Sequence, residues 1–238
     1  MRALKAFIKS ILKLINLYYL KPYKVPENTL LGMKELPIKT VIDIGANTGQ
    51  FAEFISSTFP NAKIYCFEPL PEAFNQLNEW NKKGNVKIFN VALGDEDGEV
   101  DMNVHAGHDA SSSLLNTTEV CETLYPETQD QCVERVRLST LDNIMSDYIN
   151  DIEQDMIIKL DVQGYEDRVI RGGTNTFKYA KCVIMEVSIN KLYEGQASFI
   201  ELVKLMGDLN FTYSGNLEQY YIEDGSVSFL DAVFMRNE

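Results

Sequence analysis

The chain has 238 residues, a formal charge of −13, two histidines and four cysteines; 45% of it is hydrophobic and 11% aromatic. That length and apolar content can bury one enzyme-sized core without a metal or disulfide to hold it. The acidity argues against a nucleic-acid partner, which would need a concentrated basic surface.

Residues 1–26 run against the overall charge: Arg2, Lys5, Lys9, Lys13, Lys21 and Lys24 are basic and no acid is present. Lys5, Lys9 and Lys13 recur every four residues while Leu4, Phe7, Ile8, Ile11, Leu12 and Ile15 crowd the other side, which predicts a basic amphipathic helix. The uncharged stretch over residues 14–20 is far short of a membrane span, and no small-residue cleavage site follows. Two uses fit: residues 1–24 lying on an anionic membrane surface, or packing on the domain or on a second copy in a homodimer. Pro22, Pro26 and Pro37 make the linker, so the expected organisation is a segment over 1–26 and one domain over 27–238.

The first strand is Val41 and Ile42 running into Asp43, Ile44, Gly45, Ala46, Asn47, Thr48 and Gly49, followed by a helix face of Phe51, Ala52, Phe54 and Ile55. Strand, glycine turn and helix N-terminus form the nucleotide cradle of doubly wound folds. The dinucleotide fingerprint lacks its middle glycine here, and a carboxylate at Asp43 repels a diphosphate but suits an ammonium or a sulfonium. S-adenosylmethionine carries both and no phosphate. A second apolar run over 64–67 ends in Glu68 and Pro69, where a carboxylate would grip a ribose diol. The competing reading of Asp43 is an ordinary helix cap.

A helix over 71–80 and a third strand over 86–91 follow, with residues 90–94 reaching the adenine and Ala92 and Leu93 flanking it. The turn at 95–98 and the alternation of Val100, Met102 and Val104 with Asp101 and Asn103 predict an inserted hairpin. Residues 133–138 read as another edge-type strand, so an insertion over about 95–138 is expected to cover the ligand edge as a lid. Within it, His105, His108 and Asp109 make too weak a loop pattern for a metal, and none is expected. Ser111, Ser112 and Ser113 suit a hydroxylated acceptor, or a helix cap. Thr140 starts a helix that buries Ile144, Met145 and Tyr148.

The parallel pattern resumes over 156–160 with Lys159, then Asp161, Val162, Gln163, Gly164, Tyr165 and Glu166, and a strand over 182–185 closed by Glu186. A helix over 198–209 and strands over 211–213 and 227–235 form a terminal antiparallel pair. Asp43, Glu68, Asp161 with Lys159, and Glu186 thus fall at successive strand tips, the ligand edge of open α/β sheets. Cys66 and Cys182 read as reduced core thiols of a cytoplasmic protein, with a Cys121–Cys132 pairing left open.

The strings VIDIGANTGQFAEF, CFEPLPEAFNQL, NVALGD, HDASSSL, LSTLD, IIKLDVQGYE and VIMEVS, in that order, resemble the FkbM family of S-adenosylmethionine-dependent methyltransferases over residues 41–236. The resemblance implies a class I Rossmann-like sheet, mostly parallel with an antiparallel last strand, and O-methylation of a sugar, glycolipid or other polyhydroxylated acceptor. It carries over Asp43, Gly45, Asn47 and Gly49 as the methionine-side pocket and Glu68 as the ribose clamp. In one departure, Gln163 stands where the family usually has Glu. Of the candidate bases Asp161, Lys159 with a lowered pKa, and His108, Asp161 is preferred, with Lys159 and Glu186 orienting the acceptor. Two alternatives stand beside this: a nicotinamide oxidoreductase, opposed by Asp43 and the glycine spacing, and a binding protein without chemistry, which Gln163 keeps open.

Overall fold

A computed structural model describes residues 30–81, 86–105, 111–150, 152 and 155–237. The expected N-terminal helix, His108 and Asp109 lie outside the described residues. In chain order the elements are β1 (Thr40–Ile44), α1 (Gln50–Thr58), β2 (Lys63–Phe67), α2 (Pro71–Trp80), β3 (Val86–Phe89), β4 (Ala92–Gly94), β5 (Gly98–His105), α3 (Glu119–Leu124) and β6 (Gln131–Thr140). There follow α4 (Leu141–Ser146), β7 (Met156–Leu160), α5 (Glu166–Gly172), α6 (Thr174–Phe177), β8 (Ala180–Ser188), α7 (Phe199–Asp208), β9 (Phe211–Tyr221) and β10 (Val227–Arg236).

Seven strands form the central sheet in the order β3-β2-β1-β7-β8-β10-β9. The first five of these run parallel, while β10 is antiparallel to both β8 and β9. Strand order reverses between β1 and β7, and that switch point opens a crevice at the carboxyl ends of the strands. Both faces are covered, so β1 is buried at all five positions rather than at alternate ones. Ile42 and Ile44 pack on one face with Tyr65, Phe67, Ile158 and Leu160. On the other face Val41 packs with Ile64, Cys66, Ile157, Cys182, Ile184 and Val233.

This second face changes character toward the strands' carboxyl ends. Two residues beyond Val41 stands Asp43, two beyond Ile157 stands Lys159, and two beyond Ile184 stands Glu186, each on the same side by the period of a strand. Pairing aligns Asp43 with Lys159 and Glu186 with Asp231. An apolar face therefore ends in a row of ionisable groups at the crevice.

The insertion is a second sheet, in the order β4-β6-β5. Its strands do not form the tight hairpin expected from the turn at 95–98: β6 lies between β4 and β5 and pairs antiparallel with β5 across a long connection. In strand order β6 is central, not an edge, yet β4 reaches only Leu138–Thr140. Over Val133–Arg137 it keeps one neighbour, which explains its outward charges and exposed Val133. β3 stops at Phe89, and Ala92–Gly94 leaves for the second sheet. β8 runs two residues past Glu186, and β9 extends well beyond 213. Cys66, Cys121 and Cys182 are buried and Cys132 is exposed, all four free, so no Cys121–Cys132 bridge forms.

Candidate active site

A cavity of about 340 Å³ lies over the carboxyl ends of the central strands, within the roughly 300–1,000 Å³ typical of small-molecule sites. Its wall beside β2 and β3 is apolar, with Phe67, Leu70, Val91, Leu93, Met102 and Leu114. Its wall at β7, β8 and the terminal strands carries Lys159, Asp161, Glu186, Tyr220 and Asp231.

The glycine turn is built by chain packing. Gly45 and Ala46 donate their N–H groups to the Phe67 carbonyl, each at 3.0 Å. Gly45 has φ +78°, and a Cβ there would sit 1.9 Å from the Asp161 carbonyl oxygen. Gly49, at φ +99°, faces Leu77 and Trp80 of α2 and is not part of the cavity wall. Gly45 lines the cavity and also lets β1 approach β7, whereas Gly49 serves the approach of α1 to α2. Asn47 adopts φ +46°, and its N–H donates to Glu68 Oε2 at 2.8 Å while Leu70 N–H donates to Glu68 Oε1 at 2.8 Å. Glu68 thus braces the turn and lines the cavity. Ala92 and Leu93 also line the cavity.

Asp43 does not cap α1, whose N-cap is Gly49 with no side-chain cap. It is fully buried and neither carboxylate oxygen has a hydrogen-bond partner. Burial pushes its pKa up to about 6, opposed by Lys159 and reinforced by Asp161. Lys159 Nζ lies 2.7 Å from Asp161 Oδ2. Burial works against the Lys159 ammonium, but Asp161 beside it and Asp43 outweigh that and push its pKa up. Lys159 therefore stays charged, which removes it as a base with a lowered pKa.

Gln163, at φ +52°, ties the charged wall together. Its Nε2 donates to Asp161 Oδ1 at 2.9 Å and to Glu186 Oε1 at 2.6 Å, and its Oε1 accepts from the Tyr193 hydroxyl at 2.8 Å. An ionised glutamate here could make neither of the first two bonds, and a protonated one only one of them. Burial, then the neighbouring Asp161 charge, hold Glu186 well above the usual carboxylate range. Burial likewise raises Asp231 to about 6. Glu166 accepts from the Gly164 N–H at 3.1 Å and is buried under the turn, which makes it a structural support for Gln163.

The insertion reaches the same network. Ser113 Oγ donates to the Gln163 carbonyl at 2.7 Å, and Tyr193 also donates to the Ser111 carbonyl at 3.1 Å. Ser112 lines the cavity, is 5% exposed, and its Oγ has no hydrogen-bond partner. His105 is buried at the end of β5. Among the described residues no group of His, Cys, Asp and Glu is placed to hold a metal ion.

Of the acids and the lysine expected at strand tips, Glu68, Lys159, Asp161 and Glu186 line the cavity, while Asp43 lies buried behind its wall. Tyr220, Asp231 and Tyr193 were missed. Asp231 had a signal: it shares a strand face with Phe229 and Val233 in a mostly apolar strand, where an acid needs a reason.

Numbered within itself, the central sheet has the order 3-2-1-4-5-7-6 with its seventh strand antiparallel, and with a ligand cavity at the switch point it defines a class I Rossmann-like methyltransferase. The chain belongs to the FkbM family: the methyltransferase FkbM domain matches residues 43–213. It is 27% identical over 190 residues to the 2-O-methyltransferase NoeI of Sinorhizobium fredii, covering 74% of each chain. To the hexuronic acid methyltransferase AglP of Haloferax volcanii it is 24% identical over 177 residues, covering 71% of this chain and 67% of that one. The solved magnesium protoporphyrin IX methyltransferase of Synechocystis overlays with a TM-score of 0.46 at 12% identity, covering 91% of this chain and 80% of that one.

Proposed function

We propose that this protein transfers the methyl group of S-adenosylmethionine to a hydroxyl oxygen of a sugar, glycolipid or other polyhydroxylated acceptor. The observation that carries the reading is Asp43, a fully buried carboxylate with no hydrogen-bond partner, one residue behind Ile44 and Gly45 of the cavity wall and not itself part of that wall. A carboxylate so placed gains what it lacks from a ligand ammonium, directly or through water. Glu68, in the cavity wall at the tip of β2, receives the ribose hydroxyls, and Ala92 and Leu93 flank the adenine on the apolar wall. Bound there, the donor supplies a sulfonium methyl that a nucleophilic oxygen takes as the C–S bond breaks and leaves its electron pair on sulfur.

The chain's own residues supply the rest. Asp161 takes the acceptor's hydroxyl proton, and Lys159 and Gln163 fix its two oxygens in place. Glu186 orients the acceptor. The insertion closes the cavity with Met102, Ser112 and Leu114 and keeps bulk water from competing as an acceptor. Most of the acceleration then comes from in-line placement. Two relatives whose names specify 2-O-methylation and a hexuronic acid acceptor support a sugar substrate.

The same reading takes residues 1–26 as a segment joined to a catalytic domain over 27–238. It places the protein in the cytoplasm, with residues 1–24 meeting the inner membrane face or a second subunit. Among the described residues no helix is long and apolar enough to cross a membrane. The test of the reaction is transfer of labelled methyl from the donor to purified cell glycans and glycolipids. Label on a sugar oxygen that falls at least about 100-fold with Asp161→Asn supports it; a protein that binds the donor and labels none of them contradicts it.

A further inference from the structure

The terminal hairpin contributes a wall of the cavity that the methyl-transfer chemistry leaves unused. Strand register aligns Phe229 with Tyr220 on β9 and with Ser188 on β8, and Asp231 with Glu186. Directly paired residues point to one face, so Tyr220, Phe229, Asp231 and Glu186 stand together. The Tyr220 ring is stacked on Phe229 with centroids 4.3 Å apart and planes at 19°, which fixes its orientation while leaving it 41% exposed in the cavity wall. Asp231 accepts no hydrogen bond from any described residue, although it lies opposite another acid, an arrangement that costs stability. Ser112, nearly fully buried with its Oγ unpartnered, belongs to the same cavity.

A flat aromatic face beside carboxyl groups matches a pyranose. The ring's C–H groups are weakly positive and meet the negative face of the aromatic, while hydroxyls donate to the carboxylates. Charge narrows the class. Lys159 is the one basic side chain among the described cavity-lining residues, and it is engaged by Asp161. A uronate or a phosphorylated sugar would face Asp161 and Asp231 with no cation to receive it.

Building on the methyltransferase reading, we propose that Tyr220, Asp231 and Glu186 form an acceptor subsite for an uncharged pyranose, with Tyr220 under its C–H face and Asp231 and Glu186 receiving its hydroxyls. The test is saturation-transfer-difference NMR on the full chain, saturated with S-adenosylhomocysteine, using the methyl glycosides of glucose, galactose and mannose and the methyl glycoside of glucuronic acid as probes. At least one neutral glycoside is expected to show enhancement at its ring protons, exceeding that of the glucuronide. Tyr220→Ala and Asp231→Asn each lower it at least about threefold and Tyr220→Phe preserves it, while S-adenosylhomocysteine affinity stays within about twofold of the wild type and reports an intact fold. The proposal is overturned if no neutral glycoside responds in protein that binds S-adenosylhomocysteine, if Tyr220→Ala and Asp231→Asn leave the signal unchanged, or if the glucuronide matches the neutral probes. Failure to bind S-adenosylhomocysteine at all overturns the methyltransferase reading and this one with it.

Discussion

Replacing Asp43 with asparagine makes the protein more stable and less able to bind its donor. Burial holds the Asp43 pKa at about 6 against an ordinary value of 3.8. The folded value lies above the unfolded one, so the fold disfavours the ionised form. That penalty is absent below pH 4, grows as pH rises through 4 to 6, and is complete above pH 7. A shift of this size corresponds to about 3 kcal/mol when complete, of which roughly half is in place at pH 5. The substituted side chain would leave an amide without partners, a cost that does not change with pH. The advantage of Asp43→Asn over the wild type should therefore increase by on the order of 1 kcal/mol between pH 5 and pH 8. Urea titrations of both proteins at the two pH values measure it. An advantage that is flat with pH, or that shrinks toward pH 8, would refute the view that burial of the Asp43 charge outweighs its attraction to Lys159.

Three further outcomes follow from the geometry. Gly45→Ala drives a Cβ into the Asp161 carbonyl at φ +78° and should cost about 3 kcal/mol or more in urea unfolding, with a displaced Asp161 and lost turnover in any protein that folds. Gln163→Glu replaces an amide that donates at 2.9 and 2.6 Å to two carboxylates. Its stability deficit should be on the order of 1–3 kcal/mol at pH 8 and smaller at pH 6, where the new carboxyl can hold a proton; a deficit independent of pH would count against this role. Lys159→Met leaves Asp43 and Asp161 without their cation and should destabilise by roughly 3–5 kcal/mol. Adding Asp43→Asn should recover part of that loss, and strict additivity in the double-mutant cycle would show that the two residues do not interact.

The sheet was legible because its signals are local. Val41 and Ile42, Ile64–Phe67, Met156–Ile158 and Cys182–Met185 are short apolar runs, each followed at once by an ionisable group, as parallel strands buried on both faces require. The insertion was harder to read, since the partner of β5 lies beyond a long connection and the turn at 95–98 mimics a hairpin while joining strands that do not pair. Chain packing also explains the glycines: nothing in the local pattern says that the missing Cβ of Gly45 makes room for the Asp161 carbonyl, more than a hundred residues away. Likewise Gln163 read as a departure, and only the geometry shows one amide bridging Asp161 and Glu186. Tyr220 could not be found from its neighbours in sequence, because Phe229 and the cavity come to it through strand pairing.

The most direct test of the central claim is a calorimetric titration of S-adenosylhomocysteine into the 238-residue chain, repeated with Asp43→Asn. A methyltransferase with its donor seated at the switch point should bind one molecule per chain, and the substitution should weaken binding at least about tenfold, or roughly 1.4 kcal/mol, while the fold stays intact. A folded protein that gives no binding, or that binds a nicotinamide dinucleotide instead, would contradict the account.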